Sequence, residues 1–222
     1  MATEQYSSVL VFCDFDGTIT DRNVGDLLYE RYSASGLEMA ERWERGEIGT
    51  RQEFELSFAT VTASREEMEK TLAKVPFDEG FAQIVELCRH RGHGLAIISE
   101  GLDWYIDAIL SAHGIDGIPS YCNLIHFERG RFRFEFPWFD DETPLRGVCK
   151  PKILRTLREA GWQLVYIGDG LSDREAVRVA DVVYAKDHLY RYCQAEGIPA
   201  TRFYTLAQVA TQWRDPPGVG RR

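Results

Sequence analysis

The 222-residue chain is 44% apolar and 27% charged, the make-up of an ordinary soluble globular protein with one sizeable core and room for a subsidiary domain. Its net charge of -9 argues against nucleic-acid or anionic-membrane partners, for which a basic face is expected, yet leaves room for an anionic substrate held by a metal and a lysine. Five scattered cysteines (Cys13, Cys88, Cys122, Cys149, Cys193) with no C-x-x-C pair predict neither disulfides nor zinc, and no signal-like start or membrane-length apolar run is present, so a reduced, cytoplasmic setting is expected.

Val9 to Cys13 is apolar and partly β-branched, which predicts a strand buried on both faces in a parallel sheet. Asp14 and Asp16 follow at once, two apart, so extended chain points them the same way, and Gly17 lets the backbone turn. Carboxylates that close repel, and a cation or a shared proton must hold them. Oxygen ligands at the carboxyl end of an α/β strand suggest Mg²⁺, although an isolated pair of this kind equally fits a solvated turn.

Val24 to Tyr32 reads as a short amphipathic helix capped by Asp21 or Asn23. Leu37 to Lys74 holds about three more helices, broken at Gly46, Gly49 and Thr62 to Ser64; Ser64 and Glu67 form a capping-box pattern, and Pro76 stops the run. The block 23–75 is therefore expected to be a helical insertion, either a solvated bundle or a lid over the Asp pair. From Asp78 the pattern becomes α/β. Phe81, Ile84, Val85, Leu87 and Cys88 form a helical stripe closed by Gly92 and Gly94, with His90 and His93 expected at the surface. Leu95 to Ile98 is a second strand ending in Ser99-Glu100-Gly101, and Trp104 to Ala112 a helix.

Tyr121 to Trp138 predicts a β-hairpin turning at Arg129-Gly130, with Phe132, Phe134 and Phe136 on one face, expected to lie against a neighbouring sheet. Lys150 to Ala160 is a helix, and Gln163 to Ile167 a third central strand ending in Gly168-Asp169-Gly170-Leu171-Ser172-Asp173. A helix (Arg174 to Val179), a strand (Val182 to Ala185) and helices at Leu189 to Glu196 and Leu206 to Trp213 follow. The expected organisation is a core of 1–22 and 76–215, a cap of 23–75 and a disordered tail of 216–222; oligomeric state is not readable. In a doubly wound sheet the strand ends lie side by side, so Asp14, Asp16, Ser99, Asp169 and Asp173 can meet in one cleft, with Lys150 at a helix start between the second and third.

The set D-F-D-G-T at Asp14 to Thr18, Ser99, Lys150 and G-D-G-x-S-D at Gly168 to Asp173 resembles the four motifs of the haloacid dehalogenase superfamily of phosphatases. The likeness runs from about Val9 to Ala185. The insertion, the hairpin and the approach to Lys150 are similar to the phosphoserine phosphatase branch. Tyr121-Cys122-Asn123, Pro137 near Trp138 and Cys149-Lys150-Pro151 are most similar to its methionine-salvage members.

The resemblance implies a Rossmann-like doubly wound parallel sheet with a helical cap and a small hairpin, and a Mg²⁺-dependent phosphatase of a small phosphorylated metabolite. Asp14 would be the nucleophile, Asp16 the general acid and base, and Ser99 with Lys150 the binders of the phosphoryl oxygens. Asp14, Asp169 and the backbone carbonyl of Asp16 would hold the metal. Gly17, Thr18 and Glu100 would add supporting donors, and Asp173 would orient Lys150 or water. For substrate choice, Asp21 could supply the acid expected in phosphoserine-cleaving relatives, whereas Arg42, Arg45 and Arg51 fall outside the context expected for their arginine. Trp43, Phe54, Phe58 and Trp104 are candidates for contacting a less charged substrate. Phosphoserine hydrolysis and a non-catalytic phosphometabolite-binding module stay open as alternatives.

Overall fold

The computed structural model describes residues 9–128 and 131–216. The hairpin turn expected at Arg129-Gly130 and all of the expected disordered tail beyond Pro216 lie outside the described residues. Pro216 itself is buried. Seven strands form one sheet in the order β4-β3-β2-β1-β5-β6-β7. With the hairpin strand β4 set aside, the parallel strands follow the doubly wound order of a Rossmann-like α/β fold, and the order reverses at β1 and β5. The chain separates into two compact units, and the helical insertion groups with the hairpin in the second of them.

The first unit comprises 1–14, 78–96 and 150–222. Strand β1 (Val9–Cys13) runs parallel to β5 (Gln163–Gly168), with Val9 opposite Gln163 and Cys13 opposite Ile167. That register makes the two strands end level, so Asp14 and Asp169 leave the sheet along one edge. Strand β6 (Val182–Ala185) and a two-residue β7 (Thr201–Arg202) extend the sheet in parallel. Phe12, Val11, Leu164, Val165, Tyr166 and Ile167 are fully buried, as the unbroken apolar runs require. Helix α5 (Gly80–Arg91) packs on α9 (Leu206–Thr211) closely enough that a Cβ at Gly80 would strike the backbone of Ala207. Helices α7 (Lys150–Glu159) and α8 (Asp187–Ala195) complete the unit.

Two expectations fail here, and one element was not expected. The helix expected over Arg174 to Val179 is instead a single 3₁₀ turn, Ala176–Arg178; a second, Leu171–Asp173, precedes it in the loop whose Asp169 and Gly170 amides the Asp173 side chain caps. The strand β7 is too short to show a period. His93 is buried, not on the surface: the C-terminal segment covers it, with Asp215 Oδ1 at 3.1 Å from Nε2 and the Trp213 ring at 5.9 Å. His90 is exposed as expected.

The second unit comprises 15–77 and 97–149. Helices α1 (Val24–Tyr32), α2 (Gly36–Glu44), α3 (Thr50–Phe58) and α4 (Arg65–Leu72) form the insertion. Asn23 caps α1 by accepting from the Asp26 amide, and Ser64 with Glu67 closes a full capping box on α4. Strand β2 (Gly94–Leu102) does not stop before Ser99 but carries Ser99-Glu100-Gly101 within itself, with its pairing to β3 (Ser120–Glu128) irregular between Ile98 and Leu102. Helix α6 (Asp103–Ala112) follows directly, and β4 (Arg131–Glu135) pairs antiparallel with β3.

The Phe132, Phe134 and Phe136 face packs on α3 and not on another sheet. Phe58 lies 5.0 Å from Phe132 and 5.2 Å from Phe134, and Phe54 lies 5.5 Å from Phe134, all between ring centroids. Phe54 and Phe58, four apart on one helix face, are thereby buried in an aromatic cluster with the hairpin. Among the described residues, no helix is long and apolar enough to cross a membrane.

Candidate active site

In the first unit the ladder between β1 and β5 runs one bond past the strand, the Asp14 amide donating to Ile167 O at 2.9 Å, and this sets the Asp14 carboxyl at the sheet edge. Lys150, the first residue of α7, is fully buried. A buried ammonium needs a partner for each of its three protons, and Lys150 has them: Asp14 Oδ1 at 2.8 Å, Asp173 Oδ1 at 2.7 Å and Ser172 Oγ at 3.2 Å.

Asp173 is also fully buried and gathers further donors. Tyr166 OH donates to its Oδ1 at 2.5 Å, and the amides of Asp169 and Gly170 donate to its Oδ2 at 3.1 and 3.0 Å. Carboxylate oxygens of Asp14, Asp169 and Asp173 lie within 4.8 Å of one another.

Burial, and then the neighbouring charge of Asp173, push the Asp14 carboxyl well above the usual carboxylate range, against the pull of Lys150. Burial opposes the charge on Lys150, but Asp14 and Asp173 more than offset it and hold the ammonium firmly protonated. Three carboxylates facing one ammonium carry a surplus of negative charge on hard oxygen donors, which fits a divalent Mg²⁺-like cation. Because donors already occupy both oxygens of Asp173, Asp14 and Asp169 are the carboxylates suited to hold it.

In the second unit Asp16 is the centre. Its Oδ1 accepts from the Val24 amide at 2.8 Å, at the start of α1. Its Oδ2 accepts from Tyr105 OH at 2.8 Å and from Ser99 Oγ at 3.3 Å. Ser99 Oγ in turn accepts from the Gly101 amide at 2.9 Å. Gly17 sits at φ +82°, a left-handed backbone that glycine alone adopts without strain, and Thr18 is fully buried with its amide bonded to Phe15 O at 3.2 Å.

The Glu100 side chain serves the architecture. Its carboxylate accepts from Thr50 Oγ1 at 2.7 Å, the Gly147 amide at 2.9 Å and the Val148 amide at 3.3 Å, tying the head of α3 and the segment before Cys149 to β2. Trp43 and Trp104 spend their indole N–H groups on Thr50 Oγ1 and Glu69 Oε1, at 2.9 and 3.0 Å.

Asp14, Lys150, Asp169 and Asp173 are thus gathered within one unit, and Asp16 with Ser99 within the other. Ser172 lies within the G-D-G-x-S-D motif but had no role assigned to it, and sequence patterns gave no hint of Tyr166 in the first cluster, or of Tyr105 and the Val24 amide in the second. Tyr166 was hidden in an apolar run and Tyr105 in a helical one; a tyrosine on a buried strand or helix face next to a motif, needing a partner for its hydroxyl, is the signal that could have found them.

A family model for haloacid dehalogenase-like hydrolases matches residues 11–178. A 2-hydroxy-3-keto-5-methylthiopentenyl-1-phosphate phosphatase of Exiguobacterium sp. is 28% identical over 208 residues, covering 91% of this chain and 96% of that protein. A protein of the same name from Geobacillus thermodenitrificans is 30% identical over 210 residues, covering 90% and 93%. Among solved structures, one of a phosphoserine phosphatase described as a phospho-aspartyl intermediate analogue aligns with TM-score 0.69 at 18% identity, over 94% of this chain and all of that one, a likeness of fold. The chain belongs to the haloacid dehalogenase-like hydrolases.

Proposed function

We propose that the protein is a Mg²⁺-dependent phosphatase that hydrolyses a small phosphate monoester through an aspartyl-phosphate, with 2-hydroxy-3-keto-5-methylthiopentenyl-1-phosphate as its substrate. The observation that carries this is the buried Lys150 ammonium 2.8 Å from Asp14, on a carboxylate edge that suits a divalent cation. A phosphate monoester is shielded by its own negative charge, so attack requires that charge to be neutralised and the nucleophile held in line.

Asp14 attacks phosphorus as the bond to the leaving oxygen breaks, and that oxygen keeps the electron pair and takes a proton from Asp16. Asp16 then takes a proton from the water that attacks the aspartyl-phosphate, releasing inorganic phosphate and restoring Asp14. Lys150 and Ser99 bind the phosphoryl oxygens, with the amide of Gly17 and the Thr18 hydroxyl as supporting donors, and Asp173 holds Lys150 in place. Asp14, Asp169 and the Asp16 carbonyl would hold Mg²⁺, which supplies charge neutralisation at the phosphoryl group. The names of the relatives at 28 and 30% identity support the methylthiopentenyl ester, while the likeness of fold to phosphoserine phosphatase keeps phosphoserine as the second candidate. Five cysteines that are all unpaired and buried support a reducing, cytoplasmic setting.

A panel of monoesters containing both compounds, run with Mg²⁺ and with EDTA, tests the assignment. Turnover of the methylthiopentenyl ester that EDTA abolishes and Mg²⁺ restores is expected, and Asp14→Asn should abolish it while leaving the circular dichroism spectrum unchanged. Appreciable turnover by that variant removes Asp14 from its role.

A further inference from the structure

Asp16 has to offer a proton and take one back from a fixed position, and three hydrogen bonds help to fix it. The Val24 amide fixes Oδ1 at 2.8 Å, and Oδ2 rests on two hydroxyls, Tyr105 at 2.8 Å and Ser99 at 3.3 Å. A serine hydroxyl has one proton to give. When Ser99 turns that proton to a phosphoryl oxygen, as the phosphatase assignment requires, it can no longer donate to Asp16. Tyr105 keeps its donation to Oδ2 when Ser99 is drawn away, and it is built to stay.

Tyr105 is 2% exposed on α6, its ring 6.1 Å from that of Phe15, the residue between the two motif aspartates. The position opposite its hydroxyl is Gly101, where a Cβ would collide with the hydroxyl and stand 2.7 Å from Asp16 Oδ2. Glycine at 101 is therefore the condition for this hydrogen bond, within a strand whose neighbouring residues all carry side chains.

We infer that Tyr105 is a positioning residue that holds the Asp16 carboxyl in line with the leaving oxygen while Ser99 is engaged with the phosphoryl group. The inference rests on the phosphatase assignment above and deepens it. The step it serves is the first: the phosphorus–oxygen bond breaks, the leaving oxygen keeps the pair, and the proton on Asp16 passes to it. Tyr105 gives up no proton and touches no substrate. Its loss should therefore hurt in proportion to how much the leaving group needs protonation.

The test compares wild type with Tyr105→Phe, which keeps the ring and its packing, on ethyl phosphate, whose alkoxide is a poor leaving group, and on p-nitrophenyl phosphate, whose phenolate leaves unaided. Expected are a fall of about tenfold in kcat/KM for ethyl phosphate, a fraction of what general-acid catalysis contributes, and a change below about twofold for p-nitrophenyl phosphate. The unfolding midpoint and the KM for both esters should be unchanged. Gly101→Ala, which displaces the hydroxyl without removing it, should reproduce the same split if it folds; the phenylalanine variant decides the matter alone if it does not. An equal fall on both esters, or no fall on either, with an active wild type overturns the positioning role. A wild-type protein inert with Mg²⁺ to both esters and also to the methylthiopentenyl ester and phosphoserine overturns the phosphatase assignment and the role together.

Discussion

Glu53→Gln should make the protein more stable in alkali, by an amount the structure sets. Glu53 lies on α3 at 6% exposure, with Ser57 Oγ donating to its Oε1 at 3.3 Å. Burial raises its pKa from 4.5 to about 8; nearby Tyr29 and Ser57 pull it down part of the way, and Asp26 and Glu100 push it up. The folded value exceeds the unfolded one, so the unfolded chain releases this proton first. Stability is then fully present below the unfolded value of 4.5 and is lost as pH rises to about 8.

At about 1.4 kcal/mol per unit the full loss is about 5 kcal/mol, reached once the folded form also ionises. Glutamine has nothing to ionise, can still accept from Ser57, and keeps an amide beside the buried Tyr29 hydroxyl. Urea unfolding followed by tryptophan fluorescence at pH 5 and pH 8.5 measures the difference between variant and wild type, in which every other titrating group cancels. The variant should match wild type within about 1 kcal/mol at pH 5 and exceed it by up to about 5 kcal/mol at pH 8.5. Equal pH slopes for the two proteins, or a less stable variant at pH 8.5, would refute the reasoning.

Lys150→Met leaves Asp14 and Asp173 buried without their shared cation, so it should cost about 3–5 kcal/mol of stability in urea unfolding as well as the turnover of the monoester. Ser64→Ala removes one half of the capping box on α4 and should cost about 1 kcal/mol with kcat unchanged, since α4 contributes no residue to either cluster.

Strand positions were legible because apolar runs followed abruptly by carboxylates or glycines leave few alternatives, and β1, β5 and β6 begin where those runs begin. A period of two identifies which side of a hairpin is apolar but not what covers it. The phenylalanines of β4 thus pointed to burial, while their partner, the Phe54 and Phe58 stripe of α3, lay some eighty residues away under a helical period. His93 was misplaced for a related reason: the groups that bury it, Trp213 and Asp215, come from the far end of the chain. The polar groups at the strand ends could be named from the motifs. Which oxygen each donor reaches could not, and this is why Tyr105 and Tyr166 went unseen.

The loop Gly168 to Asp173 shows what such a motif encodes physically. A Cβ at Gly168 would stand 2.5 Å from Asp173 Oδ2, so glycine makes the room into which that carboxylate folds back. One oxygen then takes the amides of Asp169 and Gly170, which fixes the loop, and the other takes Lys150 and Tyr166. Both oxygens must accept, and neither can be exchanged for a donor. Asparagine would turn an N–H₂ either to the loop amides or to Lys150 and Tyr166, leaving donors facing a donor in a fully buried place. The same side chain thus shapes the loop that carries Asp169 and anchors the lysine that faces Asp14, so loop geometry and the charge beside the nucleophile cannot be changed independently.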